Sequence, residues 1–152
     1  MGDSLFGGPD EAYREEVLNF IAQQGLSGRV RWLGARSDAV DILAQSDVAV
    51  MNSLWPEGFG LVAAEAMWAG VPLVGTALGG MSELLIDGRT GVVVEPGNID
   101  QLAEAIAALL EDPQRRLRLA EAARSHISAL QSDQNVRHLE NLLEQSLHAT
   151  VH

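Results

Sequence analysis

Residues 55–65, Trp55-Pro56-Glu57-Gly58-Phe59-Gly60-Leu61-Val62-Ala63-Ala64-Glu65, bring two carboxylates, two glycines and a helix start together. Gly58 and Gly60 let the backbone approach a ligand closely. A helix beginning there leaves unpaired N–H groups in its first turn, equivalent to roughly half a positive charge. A phosphate or diphosphate is the natural guest of such a turn. Glu57 precedes the turn, and Glu65 lies about one and a half turns inside it. Carboxylates do not bind phosphate; they accept strong hydrogen bonds from hydroxyl groups. A diphosphate flanked by hydroxyl groups describes a nucleotide-sugar, with ribose at one end and hexose at the other. Each feature also has a plainer use, since glycines at a helix start serve turns and a helical Glu commonly faces solvent.

Composition narrows the alternatives. The chain has 152 residues, which suits one globular domain. It has no cysteine, which excludes a disulfide framework, an iron–sulfur cluster, a thiolate zinc site and a Cys nucleophile. The formal net charge is −11, which argues against nucleic acid as a partner. All ten basic residues are arginines, so lysine chemistry must come from another chain or be absent. The four histidines, His126, His138, His148 and His152, have no metal-ligand spacing and are expected at the surface; no metal or other cofactor is expected. No basic leader and no run near the ~20 apolar residues of a membrane span occurs, so a soluble cytoplasmic protein is the default expectation.

The elements that must position the loop follow from periodicity. Helical spacing predicts helices over residues 9–24, 38–44, 60–69, 98–110 and from Pro113 onward, with a last one over 133–147. Short apolar runs predict strands at 30–33, 48–51, 71–74 and 91–94, the second buried on both faces. Residues 82–85 form one helical turn. The three tryptophans, Trp32, Trp55 and Trp68, are expected in core or loop packing, and Met51, Met67 and Met81 as core fillers. Strand and helix alternate, which indicates parallel βα units in an α/β, doubly wound Rossmann-like sheet with a helical C-terminal tail. In such sheets ligands bind beyond the carboxyl ends of the strands, where residues 52–65 begin.

The stretch from Glu57 to Glu65 resembles the Glu-x7-Glu motif of retaining glycosyltransferases of the GT-B fold, the group of glycogen synthase, sucrose-phosphate synthase and phosphoinositol mannosyltransferases. The likeness extends, in order, through Val30-Arg31-Trp32-Leu33-Gly34, Ala44-Gln45-Ser46-Asp47-Val48, Glu65-Ala66-Met67-Trp68-Ala69-Gly70-Val71-Pro72-Leu73-Val74, Gly79-Gly80-Met81-Ser82-Glu83, Asp87-Gly88-Arg89-Thr90-Gly91 and Glu95-Pro96-Gly97. It covers about residues 5–124, read as the nucleotide-sugar-binding domain 1–124, followed by a tail over 125–152.

The resemblance implies roles. Glu57, Gly58, Phe59 and Gly60 would hold the donor sugar, with Glu57 as the catalytic carboxylate that helps stabilise positive charge at the anomeric carbon. Amides near Leu61 and Val62 would receive the diphosphate, and Glu65 the ribose hydroxyls. Gly34 and Arg36 would lie beside the base, although an Arg there equally suits a helix cap or the surface. Glu83 is expected to bond the backbone of its own loop. The family carries an Arg and a Lys that clamp the diphosphate upstream of a first strand, of which residues 4–7 look like the remnant. It also has a second, acceptor-binding domain. The resemblance therefore implies a donor-binding half, inactive or nearly so alone, that needs the acceptor domain as partner; peripheral membrane contact is left open for the whole enzyme. A nucleotide-sugar binding module and a non-catalytic domain that forms a homodimer remain open beside it.

Overall fold

The computed structural model describes residues 9–34 and 36–133. The element order is α1 (Pro9–Gln23), α2 (Ala39–Ala44), β1 (Ala49–Met51), α3 (Leu61–Ala69), β2 (Leu73–Gly75), α4 (Met81–Leu84), β3 (Gly91–Val93), α5 (Ile99–Glu111) and α6 (Pro113–Asp133). The chain divides into two compact units, one ending at Ala39 and the other beginning at Val40.

In the first unit α1 ends where Leu26 donates back to the Ile21 carbonyl at 2.9 Å. Residues 30–33 do not form the strand their apolar pattern predicts. The Val30 amide is taken by the Leu26 carbonyl at 3.0 Å, a helical-type turn, and no neighbouring strand among the described residues offers a ladder. Val30, Trp32 and Leu33 are exposed as a result. A cavity of about 480 Å³ runs along α1 between Glu15, Asn19 and Phe20 and contains no candidate residue. The predicted strand remnant at 4–7, the helix over 133–147 beyond Asp133, and His138, His148 and His152 fall outside the described residues.

The second unit is built on a parallel sheet of order β1-β2-β3, with Val50 opposite Val74 and Val74 opposite Val92. Parallel neighbours need crossovers, which α3 and α4 provide. Successive residues of a strand point to opposite faces, and β2 shows the consequence. Leu73 joins one core cluster with Met67, Met81, Leu84 and Ile127, while Val74 joins a second with Val94, Leu109 and Leu119. Both faces are therefore covered, as a doubly wound sheet requires. Helix α6 serves both clusters, through Leu119 in one and Ala123 and Ile127 in the other. The residue-124 boundary falls inside this helix, and Ile127 beyond it is core.

β1 departs from its predicted burial. Ala49 is buried, but Val50 is 44% exposed. Among the described residues β1 is an edge strand, and the cluster that covers Val74 beside it does not include Val50.

Candidate functional site

β1 ends at Met51 and β2 at Gly75, and the strands are parallel neighbours. The segments that follow them, residues 52–60 and 76–80, thus leave the same edge of the sheet. They are joined by backbone. Glu57 and Gly79 form a parallel bridge, and the Gly80 amide donates to the Glu57 carbonyl at 2.9 Å. The approach is close enough to dictate residue type. A Cβ at Gly79 would sit 2.5 Å from the Glu57 carbonyl oxygen, and one at Gly80 would run into the Gly58 carbonyl.

Gly60 turns this loop into α3. It is the N-cap in left-handed conformation, φ 77°, and a Cβ there would meet Met81 Sδ. Having no side chain, Gly60 cannot cap the helix. The first amide of this turn to bond backwards is Ala64, to the Gly60 carbonyl at 3.0 Å. The amides of Leu61, Val62 and Ala63 have no backbone acceptor among the described residues, which leaves a helix start open to an anion. Helix α3 buries Ala63, Ala66 and Met67 and turns Leu61, Glu65 and Trp68 outward.

Glu57 is half-buried, and its Oε1 accepts a 2.5 Å hydrogen bond from Ser53 Oγ. The Ser53 carbonyl in turn accepts from Thr76 Oγ1 at 2.7 Å. Neither residue stands out in the sequence as chemistry. The signal that could have found them is position: each is a hydroxyl residue one or two places past the carboxyl end of an adjacent strand. Gly58 and Phe59 are exposed on the same loop, and a Cβ at Gly58 would meet nothing within 4 Å.

Glu57, Gly58, Phe59, Gly60, Leu61 and Val62 thus gather at one edge of the sheet, with Glu65 in the second turn of α3. Gly34 and Arg36 belong to the first unit. Arg36 is occupied: Nε and Nη2 each bond an oxygen of Asp38 at 2.7 Å. The hydrogen bond and the charge of Asp38 raise the guanidinium above its ordinary value, and the hydrogen bond from Arg36 lowers the Asp38 carboxyl.

Two expectations are corrected. Glu83 does not bond its loop through its carboxylate, which is exposed; Ser82 Oγ does so, to the Gly79 carbonyl at 2.8 Å. Glu83 contributes its carbonyl, 2.7 Å from His126 Nε2, which makes His126 a tie between α4 and α6. The tryptophans are not core: Trp32, Trp55 and Trp68 are 40%, 78% and 48% exposed. Met67 and Met81 are fully buried, as expected of fillers.

The family model of the group 1 glycosyl transferases matches residues 4–126. The chain belongs to this family. It is 36% identical over 118 residues to the lipopolysaccharide core biosynthesis mannosyltransferase LpsB of Rhizobium meliloti, covering 76% of this chain and 32% of that protein. Among solved structures it superposes on Anabaena HepE in complex with UDP-glucose with a TM-score of 0.83 and 33% identity, over 97% of this chain and 39% of that one. Sucrose-phosphate synthase from Thermosynechococcus elongatus gives 0.82 and 29%, over 98% and 37%. The chain thus spans 32% to 39% of the length of these proteins. The fold is the α/β architecture of GT-B glycosyltransferases. No described helix is long and apolar enough to cross a membrane.

Proposed function

We propose that this group 1 glycosyltransferase chain binds a nucleotide-diphosphate sugar at the carboxyl edge of its sheet, as the donor half of a retaining transfer. The acceptor would be held by a second domain of the kind that accounts for the remaining length of its relatives. The observation that carries the assignment is the pairing of an uncapped helix start with a fixed carboxylate. The Leu61 and Val62 amides point the positive end of α3 at a diphosphate, and Glu57, three residues before Gly60, offers an oxygen to sugar hydroxyls. Glu57 beside the anomeric carbon would stabilise the positive charge that develops as the diphosphate leaves. Gly58, Phe59 and Gly60 would shape the sugar pocket, Glu65 would bind the ribose, and Gly34 and Arg36 would lie towards the base. No metal is assigned a role. HepE was crystallised with UDP-glucose, which makes uridine the first base to try.

Calorimetric titration with UDP, ADP and GDP and their sugar esters tests this. Binding of at least one pair is expected, with Glu65→Ala weakening the nucleotide and Glu57→Ala mainly the preference for the sugar ester. A folded sample that binds none of them at millimolar concentration would remove the proposal.

A further inference from the structure

The Glu57 carboxylate is half-buried, and no cation lies within ion-pair distance of it among the described residues. Its Oε1 is engaged by Ser53 Oγ, and its Oε2 has no partner among the described residues. Oε2 is not sealed from solvent, so it is free to accept from a hydroxyl of a ligand. The other oxygen is held with unusual care. Ser53 lies two residues past β1, in a segment with no regular structure of its own. Thr76, 1% exposed, is the residue after β2, and its amide still belongs to the ladder, donating to the Met51 carbonyl at 3.1 Å. The proton of its hydroxyl goes to the Ser53 carbonyl. A two-bond relay therefore runs from the rigid end of the sheet, through Thr76 and Ser53, to one oxygen of Glu57.

We infer that Ser53 and Thr76 are positioning residues for donor-sugar recognition: Thr76 fixes Ser53, and the Ser53 hydroxyl holds Oε1 of Glu57 so that Oε2 faces a sugar hydroxyl. The inference rests on the donor-binding assignment above and deepens it. Each hydroxyl has one proton, and both are spent inside the relay, so neither donates to the sugar. Thr76 is buried and acts through Ser53 and Glu57. A carboxylate left to rotate would lose the orientation that a charged acceptor needs to distinguish one hydroxyl arrangement from another.

The test compares UDP with UDP-glucose on the wild-type chain and on Ser53→Ala, Ser53→Thr, Thr76→Val and Thr76→Ser, with the ADP and GDP pairs run in parallel. Circular dichroism melts on each sample confirm folding. Ser53→Ala is expected to leave nucleotide affinity unchanged while the advantage of the sugar ester falls roughly tenfold, about the worth of one hydrogen bond to a charged group. Ser53→Thr and Thr76→Ser, which keep the hydroxyls, should restore most of it, and Thr76→Val should show a smaller loss of the same kind. Equal weakening of nucleotide and sugar ester by Ser53→Ala would mean that the relay only braces the loop, and would overturn the inference. So would an undiminished advantage in Ser53→Ala, with donor binding itself left standing. A wild-type chain that binds nucleotide with no advantage for the sugar ester overturns it too, while binding of no nucleotide at all removes the donor-binding assignment along with it.

Discussion

The Gly80 amide donates to the carbonyl of Glu57 at 2.9 Å, and the space between the two loops is too small for a Cβ at Gly80. The residue proposed to face the sugar is therefore carried by the turn after β2 as much as by its own segment. Gly80 itself has an ordinary right-handed backbone, φ −62°, so the requirement is purely steric.

Gly58 and Gly80 should consequently respond differently to alanine. Gly58→Ala meets empty space and is expected to change stability by less than about 0.5 kcal/mol, while reducing binding of the sugar ester. Gly80→Ala forces two backbones apart and is expected to cost about 1–3 kcal/mol and to disturb the same binding. Thermal melts and titration of the two variants side by side decide this; a benign Gly80→Ala would contradict the packing.

Helix α6 should matter beyond residue 124. Ile127 is 2% exposed and packs with Ala63, Met67 and Leu84 through its cluster. Ile127→Ala is expected to destabilise the chain by about 2–5 kcal/mol, against less than about 0.5 for Leu117→Ala on the exposed side. Urea unfolding of both measures the contrast, and similar midpoints would show that α6 does not seal the core.

Arg116 closes the end of α5. Its Nη1 donates to the Leu109 and Leu110 carbonyls at 2.7 Å each, placing a cation at a helix C-terminus, and Nη2 lies 3.5 Å from Asp47. Arg116→Met keeps the stem and is expected to cost about 1–2 kcal/mol. Arg116→Lys should recover only part, because one ammonium cannot reproduce the planar fork. Full recovery by Lys in a denaturant titration would show that charge alone suffices.

The Arg36–Asp38 pair fixes a sign for acid behaviour. The hydrogen bond from Arg36 lowers the Asp38 carboxyl in the folded chain. A depressed folded value stabilises above the unfolded value of about 3.9, and that contribution is lost as pH falls through the folded one. Carbon-detected NMR titration should show Asp38 protonating below the ordinary range, and Arg36→Gln should return it there. Because the pair is exposed, the melting temperature near neutral pH should barely move. An unshifted Asp38 in the wild type would mean that Arg36 is free.

Much of the fold could be read directly. The 3.6-residue spacing of Leu102, Ile106 and Leu109 marks α5, and of the two capping residues its start offers, Asn98 and Asp100, Asn98 takes the role, accepting from the Gln101 amide at 3.0 Å. Apolar runs marked β1, β2 and β3 to within two residues. Residues 30–33 carry an equally good pattern and form no strand, because a strand exists only where a neighbour accepts its hydrogen bonds. Val50 is exposed for a related reason: its residue type reports what it tolerates, and its place at the edge of the sheet among the described residues is set by the other strands.

The same division runs through the site. Residue types and spacing by themselves determined the Glu57–Glu65 segment, its two glycines and its helix start, because these depend on local backbone freedom, and the order of residues along the chain carried the resemblance to its family. Only the tertiary structure showed Ser53 and Thr76 holding Glu57, Gly79 and Gly80 bearing its loop, and Arg36 committed to Asp38. Thr76 is 23 residues from Ser53. Contacts of that kind exist only once parallel pairing brings the ends of β1 and β2 to one edge, and no local pattern encodes which side chains meet there.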